Sequence, residues 1–105
     1  MANDQAILNF IGIARRASKI VSGQEKLLSE IRSGRIHFLF IASDSGQATQ
    51  KKFTDKSNYY HIPINNGYTK EVLSNAIGIK RTIIGISDQG MAKKLIELTD
   101  NNKGE

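Results

Sequence analysis

A search for catalytic chemistry in this chain begins with its two histidines, His37 and His61. His37 lies inside an apolar run, which fits a partly buried structural residue. His61 precedes a short apolar segment and follows Tyr59 and Tyr60, where packing or an exposed ring accounts for it. No carboxylate and histidine stand at the spacing of a metal site, and cysteine is absent, which removes thiol nucleophiles, disulfides and cysteine-ligated zinc. The patterns G-x-S-x-G, G-x-x-x-x-G-K-[ST] and G-x-G-x-x-G are missing as well. The residues therefore point to a protein that is not an enzyme and that carries neither a metal nor a cofactor.

Two segments are better suited to binding. The first runs from Lys19 to Lys26. A glycine at a helix start lets another backbone approach closely, and the first helical amides point outward without partners, so a phosphate can sit there. Arg15, Arg16, Lys19, Lys26 and Arg32 lie before and along that helix and supply positive charge. Gln24 can donate to and accept from base edges, and Glu25 can accept from amino groups. A purely structural account also exists: Glu25 caps the helix, Gly23 makes the bend, and the cations form a solvated face. The second segment, Gly78-Ile79-Lys80-Arg81-Thr82, joins an apolar residue to two cations in a loop. Such a loop can pack on an extruded base while contacting phosphates. Its structural account is a helix C-terminus that welcomes cations, with Ile79 folded inward. Lys51, Lys52, Lys56, Lys93 and Lys94 read as plain solvated surface.

The elements that must position these segments follow from periodicity. Ile7, Leu8, Ile11 and Ala14 form one stripe of a helix over residues 3–17, with Asn3 or Asp4 at its start. Ile20-Val21 makes a very short strand. Ser22 and Glu25 then read as a capping box for a second helix, with Leu27, Leu28 and Ile31 inward, that stops at Gly34. Ile36 to Ala42 reads as a buried strand and Asp44-Ser45-Gly46 as a turn. A polar helix over about residues 48–56 has Phe53 as its main anchor. Ile62-Pro63-Ile64 suits an edge strand because proline lacks an N–H, and Asn65-Asn66-Gly67 is turn chemistry. Thr69 caps a short helix closed by Gly78. Ile83 to Ser87 is another buried strand, and Asp88-Gln89-Gly90 leads into a last helix with Met91, Ala92, Leu95 and Ile96 inward. Residues 100–105 read as a frayed polar tail. Helices and strands alternate throughout, which argues for one α/β domain over residues 1–105, a sheet covered by helices on both faces.

Composition bounds the rest. The chain has 105 residues, 15 lysines and arginines against 10 acidic residues, and a formal net charge of +5. A chain of this length buries roughly 60–70% of its unfolded surface and folds without staples. The sequence pI of about 9.6 favours a polyanionic partner, nucleic acid first, although solubility alone also accounts for it. No apolar run is long enough to span a bilayer and no signal peptide is visible, so a cytoplasmic protein without membrane contact is expected.

Four segments, in their order, carry a family resemblance: GIARRASKIVSG ending at Gly23, the second helix ending at Gly34, FLFIASD from Phe38 to Asp44, and LSNAIGIKR leading to ISDQG. From about Asn9 to Leu98 the chain resembles the ribosomal protein L7Ae/L30e family, most of all its small bacterial branch. The resemblance implies a three-layer α-β-α sandwich around a four-stranded mixed sheet. It also implies binding to kink-turn RNA, a duplex sharply bent at a bulge beside tandem sheared G·A pairs. The family lays the N-terminus of its second helix in the major groove at those pairs, where the kink widens a groove that is otherwise too narrow to read. Its glycine matches Gly23 and its next residue Gln24. The asparagine–glutamate pair of archaeal members falls on Glu25 and Lys26, their following lysine on Ser29, and the hydrophobic loop that cradles an extruded base on Ile79 to Thr82. Here the pair has become Glu25-Lys26, the lysine is a serine, and the segment from Gly78 to Gly90 is shorter and lacks the archaeal proline.

The expected protein is thus a monomer that binds structured RNA of kink-turn type, ribosomal RNA and the ribosome among its partners. Gly23, Gln24, Glu25 and Lys26 meet the G·A pairs, Ser29 stands where the family has its following lysine, and Lys19, Arg32, Lys80 and Arg81 position phosphates. Ile79, with Thr82, packs on the extruded nucleotide. The alternatives are a protein-interaction module on the same fold and, on fold analogy alone, a small α/β enzyme.

Overall fold

The computed structural model describes residues 4–103. Five helices and four strands alternate: α1 (Asp4–Arg16), β1 (Ile20–Ser22), α2 (Gln24–Arg32), β2 (Phe38–Ile41), α3 (Gln47–Tyr60), β3 (Ile64–Asn65), α4 (Lys70–Ile77), β4 (Ile83–Ile86) and α5 (Gln89–Lys103). The sheet order is β1-β4-β2-β3. β4 is antiparallel to both β1 and β2, whereas β2 and β3 are parallel, so the sheet is mixed.

Strand alternation divides the core in two. Phe38, Phe40, Ile84 and Ile86 face a cluster with Ile7, Ile11 and Ala14 of α1, Leu73 and Ile77 of α4, and Ala92 and Leu95 of α5. Val21, Leu39, Ile41 and Ile83 face the other way, toward Leu27 and Ile31 of α2 and Phe53 of α3. The result is the expected three-layer sandwich, with α1, α4 and α5 on one face of the sheet and α2 and α3 on the other.

Gly85, in the middle of β4, decides how α2 sits. It pairs with Val21 on one side and Leu39 on the other, at the centre of the sheet. A Cβ at this position would stand 2.5 Å from Leu27 Cδ1 and 3.1 Å from Ile36 Cδ1. Leu27 is fully buried, so a larger residue at position 85 would force its side chain, or α2 with it, to shift, and glycine fits this packing as it stands.

Several boundaries differ from the sequence reading. Ser22 does not cap α2: it ends β1, the N-cap is Gly23, and no side chain bonds the helix start. α3 begins at Gln47 and runs on to Tyr60, past the end expected near Lys56. Its inward face is completed by Ser57, which is buried but hydrogen-bonded to the Thr54 carbonyl at 2.8 Å, and His61 ends it in a left-handed conformation (φ 59°) where no glycine signals a stop. β3 is Ile64–Asn65, one register beyond Pro63, whose carbonyl accepts from the Leu39 amide at 3.0 Å. β2 is shorter than residues 36–42, although Ile36 and Ala42 are buried beside it. α5 continues to Lys103, beyond the tail expected from residue 100. Asn3 and residues 104–105, where the first cap and the end of that tail were expected, lie outside the described residues. Thr69 does cap α4, its Oγ1 accepting from the Val72 amide at 3.3 Å. The Tyr68 hydroxyl donates to Asp4 at 3.1 Å, and burial, with that carboxylate, pushes its phenol well above the usual range.

Replacing Gly85 by alanine is expected to lower the unfolding free energy by about 1–3 kcal/mol, the usual cost of overpacking. A urea melt checks this; wild-type stability in G85A would show that α2 does not depend on the contact.

Candidate nucleic-acid interface

The strand register brings three connections to one end of the sheet. Ser22, the last residue of β1, pairs with Ile84, and Ile41, the last of β2, pairs with Ile83. The turn into α2, the loop from α4 into β4 and the loop after β2 therefore converge. The Ala42 amide donates to the Thr82 carbonyl at 2.8 Å, which ties the last two together.

At the first of these, Gly23 adopts φ 91° and ψ 125°, a region closed to residues with a Cβ. Its carbonyl accepts the first helical bond, from the Leu27 amide at 2.9 Å. Among the described residues nothing accepts from the amides of Gln24, Glu25 or Lys26. These amides face solvent together with the positive end of the helix dipole. All three side chains are exposed. The Glu25 carboxylate, freed from the expected cap, makes no hydrogen bond within the described residues. Ser29 and Arg32 follow it at i+4 and i+7 on the same exposed face, and Arg32 stands about 10 Å further along the helix.

α4 delivers the second connection. It closes at Gly78 (φ 84°), and Arg15 on α1 caps its end, donating from Nη1 to the Ile77 carbonyl at 2.6 Å. Arg15 thereby shapes the loop rather than adding charge beside α2. Ile79 is half-buried against the α1/α4/α5 cluster, and Lys80 and Arg81 are exposed. Ser74 holds the loop down, its Oγ accepting from the Arg81 amide at 3.0 Å and donating to the Arg81 carbonyl at 3.3 Å. Beside the loop lies a shallow cavity of about 410 Å³ lined by Asp44, Lys70, Glu71, Ser74, Asn75 and Lys80.

The same end of the fold receives a cation that the sequence reading assigned to plain surface. Lys52 of α3 reaches Gln24 Oε1 at 3.5 Å, and Gln24 Nε2 in turn donates to Thr49 Oγ1 at 3.4 Å. Helical spacing within α3 gave no sign of this, because the contact depends on how α3 packs beside α2. Lys51, by contrast, pairs with Asp55 on the same helix at 3.1 Å.

Lys19 is not at this end. Its carbonyl accepts from the Ser87 amide and hydroxyl, at 2.9 and 3.1 Å, beyond the opposite ends of β1 and β4, and four residues of extended chain carry it about 13 Å from Gly23. His37 and His61 are at that far end too, on a small cavity of about 180 Å³ with Tyr60 and Ile62. His37 precedes β2 rather than lying inside it.

Residues 5–96 match the ribosomal protein L7Ae/L30e/S12e/Gadd45 family, and the chain belongs to that family. It is similar to the RNA-binding protein YlxQ of Enterococcus faecium, at 38% identity over 93% of this chain and 95% of that protein. It is also similar to the RNA-binding protein YlxQ of Bacillus subtilis (strain 168), at 41% identity over 86% and 91%. Among solved structures, a protein of unknown function from Bacillus halodurans matches with a TM-score of 0.85 at 34% identity, covering 90% of this chain and 96% of that one.

Gly23→Ala is expected to cost about 1–2 kcal/mol of stability through backbone strain alone, because nothing lies within 4 Å of the added Cβ. Denaturant unfolding of G23A checks it. A cost near zero would mean that the turn relaxes to accept a side chain.

Proposed function

We propose that this protein binds structured RNA of kink-turn type, without catalysis, as a cytoplasmic monomer, with ribosomal RNA and the ribosome as its first candidate partners. The observation that carries the reading is the meeting, at one end of the sheet, of three unpartnered helical amides at Gly23–Lys26 and the apolar-cationic loop at Ile79–Thr82. The first suits a sheared pair in a widened groove, and the second suits a nucleotide thrown out of the stack. The names of the two YlxQ relatives support RNA as the polyanion.

Gln24, Glu25 and Lys26 face the G·A pairs. Glu25 accepts from base amino groups, and Gln24, already oriented by Thr49 and Lys52, supplies the amide donor that a carboxylate lacks. Ser29 lies alongside, where its hydroxyl reaches sugar or phosphate. Lys26, Arg32, Lys52 and Lys80 neutralise phosphates. Ile79 and Thr82 border the extruded nucleotide, with the cavity lined by Lys70 and Asn75 beside them. Kink-turn selectivity then rests on shape as much as on base contacts, because only RNA able to bend reaches both segments at once.

Gel-shift titration against a kink-turn RNA, paired with the same RNA carrying Watson–Crick pairs in place of its G·A pairs, tests the reading. Binding to the first RNA alone is expected, and with about four phosphates neutralised log affinity falls against log salt with a slope of roughly −3 to −4. Equal binding to both RNAs, or none, rejects it and turns the search to protein partners.

A further inference from the structure

Arg81 was expected to position a phosphate, but the structure gives its side chain other work. Nε donates to Ser22 Oγ at 3.0 Å, and Nη1 donates to the Lys80 carbonyl at 2.7 Å. A guanidinium grips a phosphate best through two parallel N–H bonds along one edge. Its side edge is engaged through Nε, and Nη1 is turned back onto the loop's own main chain. Ser22 is the residue immediately before Gly23, and 59 positions separate it from Arg81. Arg81 is also the residue whose main chain Ser74 clamps to α4. One side chain therefore joins the α4–β4 loop to the turn that starts α2.

From this we propose that Arg81 is a positioning residue: its bond to Ser22 latches the Ile79–Thr82 loop to the Gly23 turn and sets the distance between the two halves of the RNA-binding surface. The proposal rests on the RNA-binding reading above for its consequence and on the Arg81–Ser22 contact for its geometry. Lys80, whose ammonium has no bond within the described residues, is the phosphate-binding cation of this loop, and Arg81 acts by shape.

The two roles predict different behaviour. Lysine at position 81 keeps the charge and loses the Nε donor. A phosphate ligand tolerates Arg81→Lys better than Arg81→Ala and gives up about one unit of salt slope in the alanine variant, whereas a latch does neither. The experiment has two arms on the full chain. In the free protein, NMR backbone order parameters at residues 22–25 and 79–82 are compared among wild type, R81A, R81K, S22A and S22T. Order is expected to fall in both segments in R81A, R81K and S22A, and to hold in S22T, which keeps the hydroxyl.

The second arm measures binding to the kink-turn RNA across a salt series, with K80A as the control. R81A, R81K and S22A are each expected to weaken binding about fivefold, the scale of one hydrogen bond, with the wild-type slope. The double variant R81A/S22A should be no weaker than R81A, and K80A should lose about one unit of slope. Unchanged order parameters in all variants, or recovery of affinity in R81K with a lower slope in R81A, overturn the latch. Should the wild type bind no kink-turn RNA, the functional reading fails while the order parameters still decide the latch.

Discussion

The close approach of α2 to β4 is the constraint on which the rest of this structure depends. Leu27 occupies the space that any side chain at position 85 would take, and its burial stabilises the fold by roughly 1.5–3 kcal/mol. That contact sits at the centre of the sheet and one helical turn from Gly23. It therefore fixes the direction in which the first amides of α2 point. Shifting α2 by the width of a methyl group would move Gln24, Glu25 and Lys26 relative to Ile79, and the proposed surface would no longer meet one RNA shape.

Charge and hydrogen bonds divide the work at this end of the molecule. The exposed lysines, Lys26, Lys52 and Lys80, supply attraction that is long-ranged and weakened by salt. They are forgiving of placement. The short bonds made by Arg15, Ser74 and Arg81 add no attraction for RNA, yet they hold the end of α4 and the loop after it in one arrangement. Selectivity for a bent RNA requires rigidity of this kind, since a loop free to follow the ligand would accept straight duplexes as well. Arg15 and Arg81 bond within the protein, whereas Arg32 and the lysines are left facing solvent.

Strong local signals were readable from residue types. The order of the nine elements follows from apolar periodicity, and Gly34, Gly78 and Thr69 mark helix ends where the structure has them. The boundaries that moved are those where a polar residue is satisfied out of sight of its neighbours. Ser57 is buried with an internal bond, which lengthens α3, and Ser22 turns from a helix cap into the acceptor for Arg81. Glycine at position 85 carried a signal, since a glycine inside a strand often marks close approach, but only the packing of Leu27 shows what approaches. The segments Gly23–Lys26 and Ile79–Thr82 stand out in the sequence each by itself, and only the strand register shows that they share one end of the sheet. That Lys19 lies at the other end of β1, and that Lys52 comes in from α3, are consequences of sheet register and helix packing, which no local spacing encodes.

On the proposed reading, one end of the sheet, where Gly23–Lys26 meets Ile79–Thr82, is a single RNA-binding surface. It is tested most directly by following backbone amide shifts of the labelled protein as kink-turn RNA is added. Perturbation is expected at residues 23–29, 44–52 and 79–82 in one concerted titration, with Lys19, His37 and His61 at the far end unmoved. Perturbation centred on the far end, or confined to only one of the two segments, would contradict it.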